Sequence, residues 1–160
     1  MTRPRWLRAG ELRVSEAPDR LAIHGLGSCV AVFVYDKEAR IGGLAHILLP
    51  GPPRQPTDRV GRYATTAVAA IVEESIRLGA RRSALCAKVT GGSRMFASDP
   101  ESTRPTVGDK NIKAALHALQ EARVVIVATD IGGETGRSVV ADLTDGSLTI
   151  STVRGRPKVV

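Results

Sequence analysis

The run Gly25-Leu26-Gly27-Ser28-Cys29, continued by Val30-Ala31-Val32-Phe33-Val34-Tyr35, decides how the rest of the chain is read. Six apolar residues, mostly β-branched or aromatic, spell a strand, and the glycines before them spell a tight turn that presents the Cys29 sulfur among backbone amides. Seventeen residues later His46 stands in Ile41-Gly42-Gly43-Leu44-Ala45-His46-Ile47-Leu48-Leu49-Pro50, a second short apolar segment opened by a glycine pair and closed by proline. The turn residues Asp36-Lys37-Glu38 join the two, so a thiol and an imidazole fall on neighbouring strands. A thiolate is a strong nucleophile, and an adjacent imidazole can lower the thiol pKa and later protonate a leaving amine. Taken alone the pair reads as packing, because free cysteine is among the most buried residue types and a lone histidine is usually just packed.

Outward from this pair the first half continues as strands, at Leu12 to Val14, Arg20 to Ile23, Val30 to Tyr35 and Ile41 to Leu48. Pro50-Gly51-Pro52-Pro53-Arg54-Gln55-Pro56 can be neither helix nor ladder and forms an exposed loop, read equally as a connector or as a rim of the site. Thr57-Asp58 is expected to cap a helix running to Leu78, with Gly79 as its stop. A buried strand follows at Ala84 to Val89, then a second helix from about Gly108 to Glu121 carrying an exposed His117. Arg123 to Thr129 reads as a strand covered on both faces. Asp145-Gly146 marks a hairpin between strands at Arg137 to Leu143 and Leu148 to Val153, and the basic tail beyond is expected to be loosely ordered.

Composition narrows the class. A chain of 160 residues fits one domain with an ordinary core. We expect residues 1–160 to form that single domain, with its core at about 10–153 and basic tails at both ends. Aromatics are few, so Val, Ile, Leu and Ala must build the interior. Cys29 and Cys86 are the only cysteines, which points to a reducing compartment, and Cys86 in Ala84-Leu85-Cys86-Ala87-Lys88-Val89 reads as an inert strand thiol. No stretch approaches the ~20 apolar residues of a membrane span and the amino end lacks a signal-peptide core, so a cytoplasmic protein without membrane insertion is expected. The net charge of +7 is spread over both termini and the surface, with few aromatics to stack bases. It argues against nucleic acid and suits an acidic protein partner. His24, His46 and His117 lack metal-ligand spacing from the cysteines and no phosphate loop or dinucleotide fingerprint is present, so neither metal nor cofactor is expected.

Gly-Leu-Gly-Ser-Cys-Val-Ala-Val and Gly-Gly-Leu-Ala-His-Ile-Leu-Leu-Pro, at this separation, resemble the CheD family of chemoreceptor glutamine deamidases. Further landmarks follow in order: Gly61-Arg62-Tyr63-Ala64 opening a helix, Gly91-Gly92-Ser93-Arg94-Met95-Phe96, Val107-Gly108-Asp109-Lys110-Asn111, and Asp130-Ile131-Gly132-Gly133 through Arg137-Ser138-Val139. The resemblance spans roughly residues 10 to 153. It implies an α/β-mixed (α+β) single domain of stacked sheets flanked by helices, similar to CheD proteins and to bacterial deamidating toxins. It also implies a protein-glutamine glutaminase of bacterial chemotaxis that acts on the cytoplasmic helices of chemoreceptors, with a CheC-type phosphatase as a further partner and no cofactor. The alternative within the same fold is a catalytically weak binding module that docks on receptors or on such a phosphatase.

In that chemistry Cys29 is the nucleophile, His46 the acid and base, and the backbone N–H groups around Gly27 and Ser28 the candidate oxyanion donors. One position departs from the family. CheD proteins carry a threonine six residues before the cysteine to orient the histidine, and here Ile23 stands there, with no hydrogen-bonding group. A backbone carbonyl, or His24, Ser28, Thr90 or Thr129, remains to take over that task.

Overall fold

Residues 2–96 and 101–160 are described by a computed structural model. Among them the strands are β1 (Arg5–Trp6), β2 (Leu12–Glu16), β3 (Arg20–Leu26), β4 (Val30–Asp36), β5 (Ile41–Ile47), β6 (Leu85–Gly91), β7 (Val125–Ile131), β8 (Arg137–Asp142), β9 (Ser147–Ser151) and β10 (Lys158–Val159). The helices are α1 (Ala64–Leu78) and α2 (Val107–Glu121). All seven residues of β4 are buried, because β4 is the middle strand of the sheet β2-β5-β4-β6-β7 and is covered on both sides. Ala31, Phe33 and Tyr35, with Leu44 of β5, pack against Leu21 and Ile23 of β3, Val139 and Ala141 of β8, and Leu148 and Ile150 of β9. Those strands belong to the second sheet, β1-β3-β8-β9-β10. Val30, Val32 and Val34 face the other way, onto Ala67, Val68 and Ile71 of α1 and Ala115 and Leu119 of α2. The order is therefore sheet, sheet, helices, an α+β architecture as expected, and each large core side chain such as Phe33 contributes roughly 1.5–3 kcal/mol. Gly42 keeps β5 thin beside β4, since a Cβ there would lie 2.5 Å from the Val34 carbonyl oxygen.

Several elements differ from the sequence reading. Thr57-Asp58 does not cap α1. The Asp58 carboxylate instead accepts from the N–H groups of Arg54 and Gln55 and from the Tyr63 hydroxyl, each at 3.0 Å, and so braces the proline loop. A 3-10 turn at Val60–Arg62 leads into α1. Strand β7 is not covered on both faces: it is an edge strand, Ile126 packs toward the helices, and Val125 and Val127 are exposed. Its β-branched run reflects strand propensity rather than burial. The basic tail is not loose either. The chain bends back at Gly155 and β10 pairs antiparallel with β9. Lys88, a buried cation on β6, holds that end by donating to the carbonyls of Val160 and Gly146, both at 2.7 Å. The short β1, parallel to β3, carries too little periodicity to be read from sequence. Among the described residues no helix is long and apolar enough to cross a membrane.

Candidate active site

The turn between β3 and β4 carries Cys29, and neighbouring segments fix each of its carbonyls. Ser93 N–H donates to Gly27 O at 2.8 Å, Asn111 Nδ2 to Ser28 O at 2.9 Å, and Gly92 N–H to Cys29 O at 2.9 Å. Gly91 and Gly92 allow this approach, with φ of 104° and 71°, and a Cβ on Gly91 would collide with the Cys29 carbonyl. The N–H groups of Gly27, Ser28 and Cys29 have no acceptor among the described residues.

His46 comes from β5. The β4–β5 ladder sets Ala31 opposite His46, and two-residue alternation puts Cys29 on the same face as Ala31, one step beyond the ladder. Thiol and imidazole are thus diagonal neighbours on one sheet face, a relation that brings Cα atoms to about 7–8 Å and side chains closer. Cys29 is half-buried and His46 only 6% exposed. Burial raises the Cys29 pKa and lowers that of His46, where the Leu7 backbone and, after it, the Glu11 carboxylate favour the charged ring without prevailing. At neutral pH both shifts favour the uncharged forms, thiol and imidazole. The thiol-lowering effect expected of His46 gives way to desolvation.

Cys29 opens onto a cleft of about 500 Å³ walled by residues 27–29, 93–96 and 106–108, with Met95, Phe96 and Val107 exposed along it. Neither His46 nor residues 50–56 are among the described residues that line the cleft, which leaves the proline loop as a connector. A larger groove of about 650 Å³ between α1 and α2 contains no thiol. Cys86 sits on β6, partly buried, with its Sγ donating to Tyr35 O at 3.6 Å. Among the described residues no three His, Cys, Asp or Glu side chains are placed to hold a metal.

Ile23 is fully buried in the inter-sheet core. Of the substitutes considered, no side chain among the described residues is hydrogen-bonded to His46, since the Thr90 hydroxyl donates to Asp130 O at 2.7 Å and His24 Nδ1 pairs with Ser138 Oγ at 3.2 Å, whereas the Leu7 backbone favours the charged ring. His46 Nδ1 is buried without a hydrogen-bond partner among the described residues. Two supports of the site escape a reading by residue type. Arg137 joins Asp130 (3.1 Å), Ser93 Oγ (2.8 Å) and Gly132 O (2.8 Å), fixing one cleft wall. Asn111, fully buried on α2, reaches the cysteine turn. One local signal was available: Thr106-Val107-Gly108-Asp109 is a capping box, with Thr106 and Asp109 each bonded to the other's backbone, and it fixes where α2 begins beside Cys29.

Comparison with known proteins gives the family. The model described as CheD chemotactic sensory transduction matches residues 48–152. A protein of Methanococcus vannielii named probable chemoreceptor glutamine deamidase CheD is 42% identical over 144 residues, 90% of this chain and 92% of that one. A Moorella thermoacetica protein of the same name is 40% identical over 159 residues, 97% and 95% of the two chains. Among solved structures, a Bacillus licheniformis hypothetical protein, YfiH, superimposes with a TM-score of 0.49 at 16% identity, covering 75% of this chain and 50% of that one. The chain belongs to the CheD family.

Proposed function

We propose that this protein is a cytoplasmic chemoreceptor glutamine deamidase in which Cys29 and His46 carry the chemistry. The observation that supports it best is the diagonal placement of the two side chains on one sheet face, with Cys29 opening onto a cleft and, beside it, N–H groups that have no acceptor among the described residues. Neutral His46 accepts the thiol proton as Cys29 Sγ attacks the side-chain amide carbon of a glutamine. The oxyanion is met by the N–H groups of the 27–29 turn. His46 then gives the proton to the departing nitrogen, and ammonia leaves with formation of a thioester. Water attacks that thioester with His46 again taking a proton, and the cycle closes by returning it to the thiolate, with glutamate released. No cofactor enters any step.

The exposed Met95, Phe96 and Val107 beside Cys29 suit a helical receptor segment with apolar residues around its glutamine, and the net charge of +7 suits an acidic one. A CheC-type phosphatase, the further partner the resemblance implies, would meet the chain over the same cleft and so compete with the receptor. Ammonia release from a receptor cytoplasmic fragment, compared between wild type and Cys29→Ser, tests the reading: release is expected from the first and not from the second. Receptor binding by both without ammonia from either would overturn it in favour of a binding module.

A further inference from the structure

Asn111 is not needed for any proton transfer, yet its side chain reaches both halves of the site. Its Nδ2 donates one hydrogen to Ser28 O at 2.9 Å, immediately before Cys29, and the other to Leu48 O at 2.8 Å, two residues after His46. Helix α2 comes this close because Gly108 packs on Gly92, where a Cβ would lie 2.5 Å from the Gly92 carbonyl oxygen. The arrangement is not one that packing alone favours: Asn111 Oδ1 is buried with no partner among the described residues, which costs stability that an apolar side chain would not lose.

The direction of the Ser28 carbonyl has a geometric consequence. In a trans peptide the C=O and the following N–H lie in one plane and point to opposite sides. Asn111 draws the Ser28 carbonyl toward α2, so the Cys29 N–H is turned away from Asn111, in a turn whose residues 27–29 line the cleft. That N–H has no acceptor among the described residues. Donors fixed before the reaction stabilise an oxyanion without reorganisation, whereas a donor on a loose turn must first be ordered.

We infer that Asn111 is the positioning residue of the oxyanion site, acting through the Ser28–Cys29 peptide. The inference rests on the reading of Cys29 as an acyl-transfer nucleophile, and a pair of reactions separates the two. Alkylation of Cys29 by iodoacetamide displaces iodide from a saturated carbon and creates no oxyanion. Acylation by p-nitrophenyl acetate passes through one, with acetyl transferred to sulfur and p-nitrophenolate released. Both are measured as pre-steady-state rates in a Cys86→Ser background, with thermal unfolding as a check on folding. Asn111→Ala is expected to slow acylation by about 10²-fold while the alkylation rate and its pH profile stay as in the parent. Asn111→Ser, which keeps one donor, should recover part of the loss. A parallel fall in both reactions would reduce Asn111 to a support for the thiol, and unchanged acylation would overturn the inference outright. If neither variant folds, Asn111 is a structural residue and the inference falls. A parent that is alkylated at Cys29 but shows no acylation burst would overturn the nucleophile reading itself.

Discussion

Strand β4 ends in two different ways. At its far end Asp36 is almost completely buried, and its carboxylate accepts from the N–H groups of Glu38, Ala39 and Arg81 at 3.0, 3.0 and 2.9 Å. Burial alone would raise the Asp36 pKa, but those N–H groups and the Arg81 charge hold it below the ordinary carboxylate value. At the other end the polar groups are left incomplete: His46 Nδ1 and Asn111 Oδ1 have no partner, and the N–H groups of the cysteine turn have no acceptor, among the described residues. The same central strand thus closes with satisfied hydrogen bonds at one end and unsatisfied ones at the other. Native interiors leave few such groups, and a cluster of them beside a cleft fits an end arranged for a reaction rather than for stability.

Substitutions at the two ends should therefore separate activity from stability. The largest effect is expected from Cys29→Ser, which should lower the single-turnover deamidation rate by at least about 10³-fold with little change in melting temperature. A melting temperature that collapsed with the activity would erase the contrast. Asp36→Ala should do the reverse, costing about 3 kcal/mol, or roughly 10 °C in thermal unfolding, as three N–H groups lose their acceptor, with the rate per folded molecule intact. Ile23→Thr sharpens the comparison from the active end. Threonine keeps β-branching and brings a hydroxyl to the place from which the family orients its histidine, at a cost of about 1–2 kcal/mol in a fully buried position. A faster and slightly less stable deamidase is expected, and an unchanged rate would mean that the Leu7 backbone already orients the ring.

The smallest effect concerns pH. His46 has a folded pKa below its ordinary value, so the unfolded chain takes up the proton first. The stability this contributes is present above about pH 6.5 and is lost as pH falls below it. Urea midpoints between about pH 7.5 and about pH 5.5 should fall for wild type and not for His46→Gln. Equal slopes would place the titration elsewhere.

Much of this contrast could be read from sequence, for identifiable reasons. The apolar run of β4 and the glycines at 25 and 27 gave the central strand and its turn, and the segment around His46 gave the neighbouring one. Two-residue periodicity then carried both side chains to one face. Residues 123–129 misled because β-branched composition records strand propensity and not which layer covers the strand. Asp58 misled because a short carboxylate before an apolar stretch serves a loop as well as a helix cap. Asn111 and Arg137 act through contacts 83 and 44 residues away in sequence, to Ser28 and Ser93, which no local pattern records. The neutral state of the Cys29–His46 pair depends on burial that only the packed layers define.

The central claim is that chemistry resides at the cysteine end of β4, and trapping the acyl intermediate tests it most directly. Wild-type protein is mixed with a glutamine-containing receptor peptide, quenched in acid within a single turnover, digested and examined by mass spectrometry. The account predicts a peptide–protein thioester on Cys29 that disappears in Cys29→Ser together with ammonia release. Ammonia release that persists in Cys29→Ser, or an acyl adduct carried by Cys86 in the wild type, would contradict it.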